Sequence, residues 1–169
     1  RHFVAPTTKQ GQLMRLLHAI DKAEVGGSRT DFAKPLEHML GFLRRRGLVA
    51  CISDFWDDPE VIIKTVAPLR FRGNEVILFH VLDPQEIARK LKGPALFEDL
   101  ETGVRMEVSQ DYAAHEYKPK IDAHIEALKK TAQGSGMDYF LVDTSRPLDA
   151  ALREYLAVSG SRGLLLEGV

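Results

Sequence analysis

Five consecutive apolar residues, Leu48-Val49-Ala50-Cys51-Ile52, lead straight into Ser53-Asp54-Phe55. A strand with one wet face alternates apolar and polar residues. A run without alternation suits a strand covered on both faces, the habit of parallel sheets. Parallel neighbours need crossover connections, usually helical, and the chain supplies them. The strand Leu48–Ile52 leads to a helix starting at Pro59, the strand Glu75–Leu82 to one starting at Pro84, and the strand Tyr139–Val142 to one starting at Pro147. Proline in a first helical turn loses no hydrogen bond and presets φ. The alternation predicts an α/β fold with a mostly parallel sheet.

Ligand crevices in such sheets lie beyond the carboxyl ends of the strands, and all three strands end near an aspartate. Asp83 immediately precedes Pro84 and, with Glu86, has the spacing of a capping box. Asp143 can cap as well, in competition with Ser145. Asp54 has no such duty, because Asp58 directly precedes Pro59 and is the better cap. A strand-end carboxylate without a local partner needs a cation or a set of donors. Asp54 is therefore the candidate metal ligand. The segment Gly26-Gly27-Ser28-Arg29-Thr30-Asp31 reads either as a loop ending in a Thr or Asp cap, or as the source of a Thr30 hydroxyl beside Asp54. Oxygen ligands of this kind suit Mg²⁺. Ser53, Trp56 and Asp57 flank Asp54 as candidate partner contacts; for Trp56 the alternative is covering the sheet edge.

Around this core the spacing predicts an amphipathic helix over about Lys9–Lys22, with Leu13, Leu16, Leu17 and Ile20 as its stripe. A second helix carries Phe32, Leu36, Met39, Leu40 and Leu43 and closes at Arg44-Arg45-Arg46-Gly47. Val104, Met106 and Val108 alternate with charges, which predicts a hairpin turning at Thr102-Gly103. A long polar helix follows over about Asp111–Gln133, with Ile121, Ile125 and Leu128 inward. The six histidines show no metal-ligand spacing, and His80, inside a strand, reads as a satisfied core imidazole. Residues 159–169 read as a flexible tail.

With 169 residues the chain fits one domain. A net charge of −1 provides no field for nucleic acid. The one cysteine, Cys51, cannot form an intrachain disulfide. The apolar run from Val76 to Leu82 is too short to span a bilayer, and no signal peptide is visible. A cytoplasmic location is expected. The chain starts at Arg1 without an initiator methionine, which reads as a piece of a longer protein.

Several stretches together resemble the domain of unknown function 58 family, which has a von Willebrand factor A-like domain. They are Thr30-Asp31-Phe32-Ala33-Lys34-Pro35-Leu36, Arg45-Arg46-Gly47-Leu48-Val49, Ile52-Ser53-Asp54-Phe55, Val81-Leu82-Asp83-Pro84, Phe97-Glu98-Asp99-Leu100-Glu101-Thr102-Gly103 and the Tyr139-to-Leu156 unit. The resemblance implies a three-layer α/β/α Rossmann-like sheet over residues 1–158, lacking its first strand and carrying a small hairpin insertion. It also implies a metal-ion-dependent adhesion site. Such a site takes an Asp-x-Ser-x-Ser loop, a Thr and an Asp; Thr30 and Asp54 match the last two, and the loop is absent from this sequence. The implied ion is Mg²⁺ or Mn²⁺. The implied role is a non-catalytic interaction module whose partner is a MoxR-type AAA+ ATPase. Without the central strand, the strand ending at Asp54 is expected to expose an edge and promote self-association.

The competing reading is a Mg²⁺-dependent phosphotransfer or phosphoacceptor domain with Asp54 as nucleophile. It lacks support where a haloacid-dehalogenase pattern wants Asp and Trp56 stands. It also lacks the Lys of a receiver domain, since Thr144-Ser145-Arg146 follows Asp143.

Overall fold

The apolar run forms the strand it predicts. The computed structural model describes residues 4, 7, 9–23, 36, 40–41, 46–87, 95–98, 105–109, 111–150, 152–153 and 155–157. Two units are distinguished, residues 1–30 and 31–169. The first contains the described helix α1 (Gln12–Asp21), entered through left-handed Gly11 (φ 89°). Its stripe has the expected spacing, but Leu13, Leu16, Leu17 and Ile20 are all exposed. The periodicity set the helix and did not provide a surface to cover it.

The second unit carries, in chain order, β1 (Leu48–Ser53), α2 (Pro59–Phe71), β2 (Glu75–Leu82) and the single-turn α3 (Pro84–Ile87). Then come β3 (Ala95–Glu98), β4 (Arg105–Val108), a π-helical segment (Tyr112–Tyr117), α4 (Lys118–Gly134) and β5 (Asp138–Asp143). Residues 148–150, 152–153 and 155–157 are helical too. The strands β1, β2 and β5 form a parallel sheet in that order, while β3 and β4 pair as an antiparallel ribbon. The fold is mixed α/β with a small parallel sheet.

The helix starts follow the capping chemistry. Asp58 accepts from Glu60 N (2.8 Å) and Val61 N (3.2 Å). Asp83 Oδ1 accepts from Gln85 N while Glu86 Oε2 accepts from Asp83 N, both at 2.8 Å, which completes the capping box. The long helix departs from expectation. It is π-helical before Lys118, and Pro119 lies in the first turn of α4. A proline removes one N–H and crowds the carbonyl four residues back, here that of His115, and a widened turn accommodates the ring.

One face of the sheet presents Val49, Cys51, Val76 and Leu78 to Ile62, Ile63, Val66 and Leu69 of α2 and to Leu128 and Ala132 of α4, with Leu36 joining them. Each buried Val, Leu or Ile among them contributes about 1.5–3 kcal/mol. Burial also pushes the Cys51 thiol up to about 11, so at neutral pH it stays a protonated core residue. Phe79, Phe140 and Tyr155 meet edge-on with centroids 5.4–6.2 Å apart. β2 is covered on both faces: Ile77 is 2% exposed and Leu78 0%. β1 departs from the expectation. Leu48 and Ile52 are 60% and 71% exposed, because among the described residues β1 has only β2 beside it.

At the amino end of the sheet, buried Asn74 ties α2 to β1. Its Nδ2 donates to Leu69 O (2.8 Å) and its Oδ1 accepts from Gly47 N (3.0 Å). Glu75 N then donates to Gly47 O (2.9 Å), where the β1–β2 ladder begins. No helix among the described residues is long and apolar enough to cross a membrane. The Gly26–Asp31 segment, the Thr102-Gly103 turn and residues 159–169 lie outside the described residues.

Candidate functional site

Asp54 follows β1 at the carboxyl end of the parallel sheet and is exposed. Ser53 Oγ donates to Asp54 Oδ1 (3.2 Å) and accepts from Phe55 N (3.2 Å), so one hydroxyl closes the corner. The cap of α2 is Asp58, which leaves Asp54 without helix duty, as its spacing from Pro59 predicts.

The chain then enters a conformation that side chains resist. Phe55 has φ 49°, the one positive φ at a non-glycine among the described residues, at a cost of about 1–2 kcal/mol. Contacts to its ring and its carbonyl add to the Ser53 bond. Its ring is buried and meets His80 edge-on (5.8 Å, 81°). Its carbonyl accepts from Asp57 N (2.9 Å), and the same oxygen accepts from His124 Nε2 (3.0 Å). A carbonyl only accepts, so His124 carries its proton on Nε2. Trp56, half exposed, stacks on the His124 ring (5.8 Å, 14°). Asp57 is exposed, and its Oδ1 accepts from Asp58 N (2.8 Å).

Beneath this loop lies His80, fully buried on β2 and in register with Ser53. Its Nδ1 is 2.7 Å from the Tyr139 hydroxyl. Its Nε2 has no hydrogen-bond partner among the described residues. The core imidazole expected from the sequence is therefore only half satisfied. Burial first, and then the neighbouring His124, lower its pKa to about 4; the Asp54 backbone and carboxylate pull the other way without prevailing. Burial and the Glu126 carboxylate push the Tyr139 phenol up. At neutral pH the pair is an uncharged hydrogen bond in the core.

The neighbouring strand ends serve turns. Thr144 Oγ1 donates to Asp83 Oδ2 (3.3 Å). Asp143 Oδ1 accepts from Ser145 Oγ (2.7 Å) and Ser145 N (2.8 Å), and these bonds hold its carboxyl below the usual range.

Of the residues picked out from sequence, Ser53, Asp54, Trp56 and Asp57 share one loop. Thr30 lies outside the described residues. Among those residues no group of three or more His, Cys, Asp or Glu is placed to hold a metal ion. Of the exposed carboxylates here, Asp57 accepts from Asp58 N and Asp58 caps α2, which leaves Asp54 with the Ser53 hydroxyl, a fit for a single ligand position. Sequence reasoning missed His80, Tyr139 and His124. His124 left a signal: it stands three residues after Ile121 and four before Leu128, both buried, and so belongs to the inward stripe of α4.

The profile of the family described as "Protein of unknown function DUF58" matches residues 1–145. Uncharacterized proteins of Mycobacterium tuberculosis (strain H37Rv) and Mycobacterium bovis are each 30% identical over 166 residues, covering 95% of this chain and 50% of theirs. An uncharacterized protein of Mycobacterium avium is 28% identical over 159 residues, covering 90% of this chain and 89% of its own. The chain thus spans about half the length of the first two relatives. No solved structure matches it significantly. With the family profile covering most of its length, the chain belongs to the DUF58 family of proteins of unknown function.

Proposed function

We propose that this chain forms part of a von Willebrand factor A-like interaction module. In it, Asp54 supplies one oxygen to Mg²⁺ or Mn²⁺, Thr30 a second, and an Asp-x-Ser-x-Ser loop outside this sequence the rest. The observation that carries the reading is the place of Asp54. It is an exposed carboxylate at the carboxyl end of a parallel strand, oriented by Ser53 and excused from capping by Asp58. The side of β1 away from β2, unpaired among the described residues, supports it, since a central neighbouring strand would pair there.

Hard oxygen donors suit Mg²⁺, which retains several waters and asks for few carboxylates. When bound, the ion would offer an open position for a partner carboxylate. Ser53, Trp56 and Asp57 would line that position, with Trp56 as the aromatic anchor. The partner proposed is a MoxR-type AAA+ ATPase, and the role is binding, not catalysis.

Titration of Mn²⁺ into the full-length protein by calorimetry tests this. Wild type should bind, Asp54→Ala should bind at least about tenfold more weakly, and chelator should release the ATPase from a pull-down. Equal Mn²⁺ binding by the two proteins would end the reading. Phosphate incorporated from a small phosphodonor and lost in Asp54→Asn would replace it with the phosphoacceptor reading.

A further inference from the structure

We infer that His124, 70 residues after Asp54 in the sequence, is the positioning residue of the Asp54 loop. The inference rests on Asp54 being the binding group. Two contacts of different kinds converge on this one ring. Its Nε2 donates to the carbonyl of Phe55 (3.0 Å), and its face stacks on Trp56 (5.8 Å, 14°). The bonded carbonyl belongs to the residue in left-handed conformation, directly after Asp54.

The backbone there has a cheaper alternative. A phenylalanine released from φ 49° relaxes to negative φ, which would swing Trp56 and Asp57 relative to Asp54, whose own position stays with β1. Ser53 Oγ and Asp57 N hold the corner only from within the loop, at sequence separations of one and two residues. His80 meets the Phe55 ring edge-on from below, a contact with the ring and not with the Phe55 carbonyl. His124 anchors that backbone to a different element, α4, whose Ile121 and Leu128 are embedded in the core. α4 and the loop are therefore joined, so displacement of one shifts the geometry of the other.

Two substitutions separate this role from mere packing. Glutamine places an N–H donor where His124 Nε2 stands but loses the stacking face. Phenylalanine keeps the face and loses the donor. In the full-length protein, amide hydrogen exchange at Asp57 reports loop order, and Mn²⁺ affinity reports how Trp56 and Asp57 are set around Asp54. His124→Phe should speed exchange at Asp57 and weaken Mn²⁺ binding about tenfold, the worth of about one hydrogen bond. His124→Gln should stay within about threefold of wild type in both. Should His124→Phe fail to fold, His124→Met makes the same comparison.

Wild-type exchange and affinity in His124→Phe would overturn the inference, as would failure of His124→Gln to restore either. A wild-type protein that binds no Mn²⁺ would sink the cation reading instead, and the Asp57 exchange would still decide the role of His124.

Discussion

At the amino end of the parallel sheet, Asn74 is buried with its amide nitrogen and oxygen both bonded, to Leu69 O and Gly47 N. At the carboxyl end, His80 is equally buried, yet among the described residues one ring nitrogen meets a side-chain partner and the other meets none. The first end has ordinary backbone apart from Gly73, a glycine at φ 84°. The second forces a phenylalanine into that region. One β2 strand thus carries a satisfied end and a strained end. Unsatisfied polar groups and strained dihedrals persist where something other than stability selects them. The contrast supports the proposal of a binding site at the carboxyl end without reference to any ligand.

The largest expected effect tests the satisfied end. Asn74→Ala strips partners from Leu69 O and Gly47 N and should cost about 3 kcal/mol in urea unfolding. A loss under about 1 kcal/mol would show that Asn74 does not secure this end of the sheet.

Acid tests the other end. The unfolded His80 has a pKa near 6.5, and the folded one near 4. Between those values the unfolded chain takes up a proton that the folded chain refuses, so stability falls as pH drops. The loss begins below about pH 6.5, is complete near pH 4, and should reach about 2 kcal/mol between pH 7 and pH 5. Replacing both members of the buried pair, in His80→Leu with Tyr139→Phe, should abolish that slope. At pH 7 it should leave stability unchanged or raise it by about 1 kcal/mol, because an orphaned nitrogen goes and no partner is stranded. If the double variant loses as much as Asn74→Ala, the two ends are alike and the contrast fails.

Local chemistry was legible in the sequence. The proline starts, the Asp58 cap, the Asp83–Glu86 box and the apolar run of β1 all depend on residues within a few positions of one another. The exposure of α1's stripe was not legible, because periodicity says which face is apolar and not what covers it. The π-helical turn was signalled by Pro119 and overlooked. The cluster at the site joins Phe55 to His124 and His80 to Tyr139, pairs 69 and 59 residues apart. Only the strand order and the placement of α4 bring them together, and no spacing rule reaches that far. The left-handed φ of Phe55 has no sequence mark either, since glycine or asparagine would be the expected occupant.

The smallest effect separates two aspartates four residues apart. Asp58 accepts two backbone N–H groups at the start of α2, and Asp58→Ala should cost about 1 kcal/mol. Asp54 is exposed, and its carboxylate accepts from the adjacent Ser53 hydroxyl, so Asp54→Ala should change stability by less than about 0.5 kcal/mol. Thermal melts of the two variants side by side decide between them. If the fold loses Asp54 without penalty while it maintains the strained backbone beside it, the result supports the proposed binding role of that carboxylate. If Asp54→Ala melts as low as Asp58→Ala, Asp54 braces the loop, and the strain at Phe55 belongs to the architecture of the corner.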